Sequence, residues 1–444
     1  MKPRFFLVVA GLAVSYTLCA AEITIPRLEW FSRAATDKGE LVVSSSADAD
    51  LAVNGGYKYG IRLGLGLEIP NIEKALSYGR LDIPYAETAS NSGSVDETSY
   101  NSMVDEMNDR VNNQATLSFR MLEATVRELF NKPLEFSFFA GKYDALASGD
   151  EFAVRFGTVP VGTDMRGFFY YADGLRVIDP AARSATPPVA DPDPRIRFNG
   201  AIHNISGTGV KLTYMPVDWI IPSLYIYQDI SFKDSRTGSY KTGHYSGDLK
   251  LLLNSEHIKL EAFAGATYIN EKTSTAGETK AKAVLRGGLL AFFSSGVGAD
   301  LLLQAGVPYW RQDEEFDIDN CYFLLEPRFR FGMAGVTLTL FYHPSYFNNM
   351  AIIDEGGKLE HGLSDFNLKL YFGDLVTTAF QGGIEGTLEM RVQESEDIKV
   401  WVSPFISAVS SGLYWDFKIR VNPRYFTSNE KKLAEGYIGI RTSF

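Results

Sequence analysis

Little in this sequence could staple a small soluble domain or perform chemistry by a familiar route. Of two cysteines, Cys19 lies in the leading apolar run, so Cys321 has no partner and no intrachain disulfide supports the fold. After residue 21 no stretch approaches the ~20 uncharged apolar residues that a membrane helix needs. The five histidines (His203, His244, His257, His343, His361) are scattered, with no pair at metal-ligand spacing. There is no Gly-x-Ser-x-Gly elbow, no phosphate loop and no His-Glu-x-x-His run. No enzyme, cofactor or metal centre is expected. Positive charge is also short: the formal net charge is -11, falling to -13 without Lys2 and Arg4, which argues against a nucleic-acid partner.

What is present starts with an export signal. Lys2 and Arg4 precede an apolar run that reaches Ala20 and ends in small residues, which reads as a secretory leader cleaved after Ala21. The expected organisation is therefore a leader over 1–21 and one domain over 22–444.

That domain is rich in alternation. Tyr57, Tyr59, Ile61, Leu63, Leu65, Leu67 and Ile69 share one strand face, with Lys58, Gly60, Arg62, Gly64, Gly66 and Glu68 opposite. From residue 209 onward such segments recur regularly. Phe323, Leu325, Pro327, Phe329 and Phe331 oppose Leu324, Glu326, Arg328 and Arg330; Trp415, Phe417, Ile419 and Val421 oppose Tyr414, Asp416, Lys418 and Arg420. Several of these strands run ~9–13 residues, longer than the ~5–6 of soluble sheets and enough to cross a bilayer at a tilt. Tight turns alternate with long polar connections, as at Asn254–Glu256 and then Asn270–Lys280. The mean hydropathy of -0.08 fits, because only alternate residues would face lipid. Twenty-three Tyr and thirty Phe suit interfacial girdles.

The final segment, Glu435 to Phe444, carries the sharpest signal. Ile438, Ile440, Thr442 and Phe444 fall on one face and Tyr437, Gly439, Arg441 and Ser443 on the other. This ending resembles the closing strand of bacterial outer-membrane β-barrels, and in length and layout the chain resembles general porins and related uptake channels. The resemblance implies bacterial outer-membrane localisation, contact with outer-membrane lipid, and recognition by the barrel-assembly machinery through the strand ending in Phe444. A homo-oligomer is compatible with it.

The expected fold is all-β: a closed antiparallel transmembrane β-barrel of about 16 strands (14 to 18) with long external loops. Residues 22–39 show no clear element, and 115–130 reads slightly better as helix than strand. Residues 143–204, rich in Gly and Pro, are expected to form a loop or plug in the lumen or over its mouth. Glycines 64 and 66 would let an inserted segment approach. The acidic run Asp313–Asp319 reads as a solvated loop rather than a calcium site. Met350–Ile353 reads equally as a lid, a docking patch or packing between loops.

The expected pore-lining residues are Lys58, Arg62, Arg286, Glu326, Arg328, Arg330, Glu389, Arg391, Lys399, Asp416, Lys418 and Arg420. Inward bases outnumber inward acids in this reading, so a weak anion preference is expected. The function that fits best is passive diffusion of small hydrophilic solutes. A transporter of hydrophobic compounds of the fatty-acid channel type, with an N-terminal plug, and a surface adhesin or structural barrel are the alternatives.

Overall fold

The structure, a computed structural model, describes residues 21–37, 40–69, 71–77, 114–157, 161–165, 199–230, 233–234, 244–272, 279–312, 315–343, 352–353, 363–391, 394–423 and 434–442. Residues 1–20 of the expected leader, Ser443 and Phe444 lie outside these residues.

The described residues form eighteen long strands. The first six are β1 (Ala21–Asp37), β2 (Glu40–Gly55), β3 (Tyr59–Ile69), β4 (Thr116–Val126), β5 (Leu134–Leu146) and β6 (His203–Tyr214). Then follow β7 (Ile220–Asp229), β8 (Tyr245–Asn254), β9 (Ile258–Lys272), β10 (Thr279–Ser294), β11 (Ala299–Arg311) and β12 (Tyr322–Phe331). The last are β13 (Ala334–His343), β14 (Leu363–Asp374), β15 (Phe380–Arg391), β16 (Glu394–Ser410), β17 (Leu413–Val421) and β18 (Ala434–Thr442). Two short helices, α1 (Ile72–Ser77) and α2 (Asp150–Phe156), lie in connections.

Each strand pairs antiparallel with the next, and β18 returns to β1 from Glu29↔Arg441 to Ala35↔Glu435. The sheet is a closed barrel, so no edge is left to expose unpaired backbone to lipid. Connections at one rim are short, such as 332–333 and 411–412; most at the other are long, such as 147–202.

Two strands more than sixteen are present, and both were hidden by bulges. In β1 the pairing slips between Thr24 and Arg27, where Pro26 cannot donate to the ladder. The slip inverts the alternation, so Ile23 faces out before it and Leu28 and Trp30 face out after it. In β4 an extra residue, Arg120, opposes the Gly64–Leu65 step. Leu117 and Phe119 point outward, then Met121 turns inward and Leu122 joins the outer face. Apolar residues at 117, 119, 122 and 126 therefore mimic a helical stripe, and the 115–130 stretch is strand over Thr116–Val126 rather than helix, followed by a single turn at Leu129–Asn131.

The outer surface is a continuous apolar belt. Leu224, Ile226, Leu249, Phe323, Phe329, Phe366, Leu368, Leu370, Phe417, Ile419 and Ile438 are all exposed there. Their sequence neighbours on the inner face are buried and polar or charged: Ser223, Asp248, Lys250, Glu326, Asn367, Asp416 and Lys418. A soluble protein rarely exposes an apolar patch beyond a few hundred Å². Here apolar outside and charged inside is the arrangement a bilayer selects.

Lysine 233 and Asp234 pair in parallel with Ile352 and Ile353, joining the β7–β8 and β13–β14 connections. Of the readings for Met350–Ile353, packing between loops is the one this pairing matches.

Candidate functional site

The connection between β5 and β6 turns into the barrel. Leu146, Ala147, Phe152 and Ala201 are fully buried, and Val161, Met165 and Ile202 nearly so. Gly149 makes the inward turn at φ +81°, where a Cβ would meet Val161 Cγ2 at 2.8 Å. A left-handed backbone with a neighbour this close is a glycine position. Helix α2 follows and ends at Gly157, also left-handed at φ +61°.

Four inner-wall residues hold this segment. The Glu261 carboxylate on β9 accepts from the Ala147 and Gly149 amides at 2.8 and 3.0 Å. Gln304 on β11 donates to the Ala147 and Gly200 carbonyls at 2.6 and 2.7 Å. Glu326 on β12 accepts from the Thr163 hydroxyl at 2.6 Å and the Asp164 amide at 3.1 Å. Arg328 donates to the Gly162 carbonyl at 2.6 Å. Ion pairs add to these: Glu151 sits on Lys250 and, at 3.2 Å, on Lys211, while Arg155 reaches Glu135 at 2.7 Å. Asp164 lies 3.3 Å from Lys369.

Under the segment is an apolar core inside the lumen. Phe152, Val161, Met165 and Ile202 pack with Phe139, Tyr225, Tyr227, Leu252, Phe263, Leu290, Leu302, Leu324 and Phe341. These wall residues come from the arc β5–β13. On the opposite arc, β14 to β18 and β1 to β4, the inner residues are mainly polar or charged, among them Asp365, Thr387, Asp416, Lys418, Glu435, Arg33 and Asp48. The lumen therefore has one packed half and one charged half.

The expected pore-lining residues distribute unevenly across it. Glu326 and Arg328 anchor the inner segment, and Arg286 is buried against Asp248 at 2.7 Å and the Tyr227 hydroxyl at 3.0 Å. Arg62 pairs with Glu123 at 3.2 Å, Lys418 with Glu385, and Asp416 with Arg441 at 3.6 Å. Arg420 stacks 3.9 Å above the Trp401 ring. Arg330 reaches Asp300 at 3.6 Å while its side chain remains 53% exposed. Lys58 is displaced from the wall: it lies in the 56–58 turn at the rim, 3.9 Å from Glu128, because β3 begins only at Tyr59. Glu389, Arg391 and Lys399 lie within β15 and β16, and their side chains are outside the described set.

The expected surplus of inward bases is offset. Asp48, Glu123, Glu135, Asp144 and Glu435 also face inward, and the inserted segment adds Glu151 and Asp164. Three of these acids, Glu123 on the misread β4 and Glu151 and Asp164 in the inserted segment, were announced by no alternation pattern. Beside Gly66 the close neighbour is likewise Arg120 of the next strand, whose Nε would lie 2.1 Å from a Cβ there, and not the inserted segment.

Burial alone would raise the carboxyl pKa values of Glu151 and Asp164. Lys211 and Lys250 around Glu151, and Lys369 and Arg328 around Asp164, win and hold both well below the ordinary carboxylate range. For Arg155 burial is outweighed by Glu151 and Glu135, so its pKa is raised. A depressed carboxylate stabilises docking fully above its ordinary pKa and loses that contribution as pH falls through the lower, docked value. The contribution of the Glu151 and Asp164 ion pairs is therefore expected to persist from pH 7 down to about 4 and to be lost only below that. A current–pH series in planar bilayers checks it: Glu151→Gln with Asp164→Asn is expected to remove the change below about pH 4, and a change there that persists in the double variant would contradict this electrostatic account.

No family model and no curated protein matches this chain. Among solved structures, OccAB2 of Acinetobacter baumannii is similar at 11% identity over 96% of this chain and 98% of that one, with a TM-score of 0.49. OpdO of Pseudomonas aeruginosa is similar at 9% identity over 96% and 97%, with a TM-score of 0.47. The outer membrane protein OpdK of Pseudomonas aeruginosa follows at 10% identity over 95% and 98%, with a TM-score of 0.46. These likenesses are weak, and the assignment rests on the closed barrel, its apolar belt and its charged interior. The chain is a bacterial outer-membrane β-barrel. Among the described residues no group of three or more His, Cys, Asp or Glu could hold a metal ion.

Proposed function

We propose that this barrel is a porin-like channel for passive diffusion of small hydrophilic solutes. The observation that carries the reading is the asymmetry of the lumen. One half is filled by the inserted segment and its apolar core, while charged side chains on the opposite arc stay partly open: Arg441 at 40% and Arg62 at 35% exposure. Charged groups left this exposed inside a barrel require water, since an unsolvated charge is prohibitively costly. An eighteen-strand circumference is wide enough for an aqueous path beside the filling. The paired acids and bases of the wall support a path with little preference between small ions of either sign.

The hydrophobic-transporter alternative drew its plug from the residues before Glu40 or from 143–204. Residues 21–37 instead form the strand that closes the barrel, which removes the first of these supports. Liposome swelling with small sugars tests the proposal. Swelling that slows as the sugars grow is the expected result; no swelling from correctly folded barrel, with a lipophilic ligand retained on purification, would overturn it.

A further inference from the structure

The inner wall of β14 to β16 carries a neutral patch within the charged arc. Asn367, Thr387 and Trp401 sit side by side in register, and Ser403 lies two residues on from Trp401 on the same face of β16. The charges around the patch are engaged. Lys418 is bound to Glu385, Arg420 lies over the Trp401 ring and beside Glu435, and Asp365 has its own partners. Asn367 donates to the Thr387 hydroxyl at 2.8 Å. Two neutral groups remain. Trp401 and Ser403 are only 3% and 1% exposed, yet the indole N–H and the hydroxyl have no hydrogen-bond partner among the described residues. A polar group closed off from solvent without a partner is costly, and such groups are rare in native proteins. Two on one strand face mark a place that a hydrogen-bonding molecule completes.

The chemistry of that molecule follows from which groups are free. An anion would need a free cation and a cation a free carboxylate, and Lys418, Arg420, Glu385 and Glu435 are already engaged with one another or with their neighbours. What is free is a donor, the indole N–H, and a hydroxyl that both donates and accepts. Solute hydroxyls, donor and acceptor in one, match this pair. Two strand residues separate the groups by about 7 Å, a spacing that one sugar ring with its hydroxyls bridges. We propose that Trp401 and Ser403, with Thr387 and Asn367 beside them, form a binding station for a neutral polyhydroxylated solute the size of a monosaccharide. This rests on the channel reading above and gives that channel a preference set by hydrogen bonding instead of charge.

The test uses protein whose folding is confirmed by heat-modifiable gel migration. Glucose added to the native channel in planar bilayers is expected to interrupt the ionic current with a saturating concentration dependence. Gluconate and glucosamine, similar in size but charged, are expected to interrupt it less. Trp401→Phe keeps a ring under Arg420 and removes the N–H; Ser403→Ala removes only the hydroxyl. Each should raise the half-blocking glucose concentration by about two- to tenfold, measured against that variant's own open current. Should Trp401→Phe fail to fold, Ser403→Ala carries the test, since it deletes a single oxygen. A glucose effect that never saturates and is equal in native and variant channels would mean that the two groups hold water only and would overturn the inference. Stronger interruption by gluconate than by glucose would overturn it as well. Folded native barrel that conducts no ions would overturn the channel reading itself, and the station with it.

Discussion

Replacing Lys250 with methionine is expected to loosen the inserted segment and produce a larger, noisier channel. Lys250 is fully buried on β8 and touches two carboxylates: Asp144 at 2.9 Å and Glu151 of α2. Lys211 is the next cation, 3.5 Å from Asp144 and 3.2 Å from Glu151. Without Lys250, Lys211 must serve both carboxylates, with Arg155 left on Glu151 at 3.0 Å and the Tyr225 hydroxyl on Asp144 at 2.6 Å. Removing one member of a buried ion pair typically costs about 3–5 kcal/mol, because the partner keeps its desolvation penalty. That corresponds to a roughly hundred- to several-thousand-fold shift in the balance between docked and released segment. The barrel wall should survive, since its ladder hydrogen bonds do not involve this side chain. Single-channel recording of Lys250→Met is the check, and adding Asp144→Asn with Glu151→Gln is expected to restore a quieter current. Native conductance and noise in Lys250→Met would show that this latch does not hold the segment.

The second large effect is expected at the seam where the chain's first and last strands meet. Arg33 on β1 and Glu435 on β18 form a pair at 2.5 Å, with side chains only 8% and 3% exposed. Tyr437 donates to the same carboxylate and stacks on Phe31 at 5.9 Å. Arg420 approaches Glu435 at 3.8 Å, too far to replace a direct bond. Arg33→Ala leaves the buried carboxylate without its closest partner, again at about 3–5 kcal/mol. A fall of roughly 5–10 °C in the temperature at which the folded gel band is lost is expected. Arg33→Met with Glu435→Met should recover most of it, because replacing both partners removes the orphaned charge. Arg27 and Glu29 make a more exposed pair on the same strand, so Arg27→Ala should change little. Equal losses from Arg33→Ala and Arg27→Ala would mean that the seam has no special clasp.

How far the sequence reveals this depends on one property, an unbroken period of two. Strands β12 and β17 keep it from end to end, and their inner and outer faces are legible residue by residue. Strands β1 and β4 each carry a bulge, and a single extra residue turns the pattern inside out. Missing those two strands lowers the count from eighteen to sixteen. It also hides Arg33, Arg120 and Glu123, which brace the charged half of the lumen. The inserted segment is a different case. Its Gly and Pro content marks it as irregular, yet its anchors are Glu261, Gln304 and Glu326, each from a distant strand. Pairing across more than a hundred residues leaves no local trace. The surplus of inward bases is offset for the same reason, since several balancing acids come from strands and a loop whose placement is set by tertiary contacts.

The most direct test of the central claim is a planar-bilayer recording of the native protein under a KCl gradient, with folding verified on the same sample. A water-filled passage beside a fixed inner segment predicts discrete, steady current steps with a reversal potential near zero. Folded, membrane-inserted barrel that passes no ionic current would contradict it.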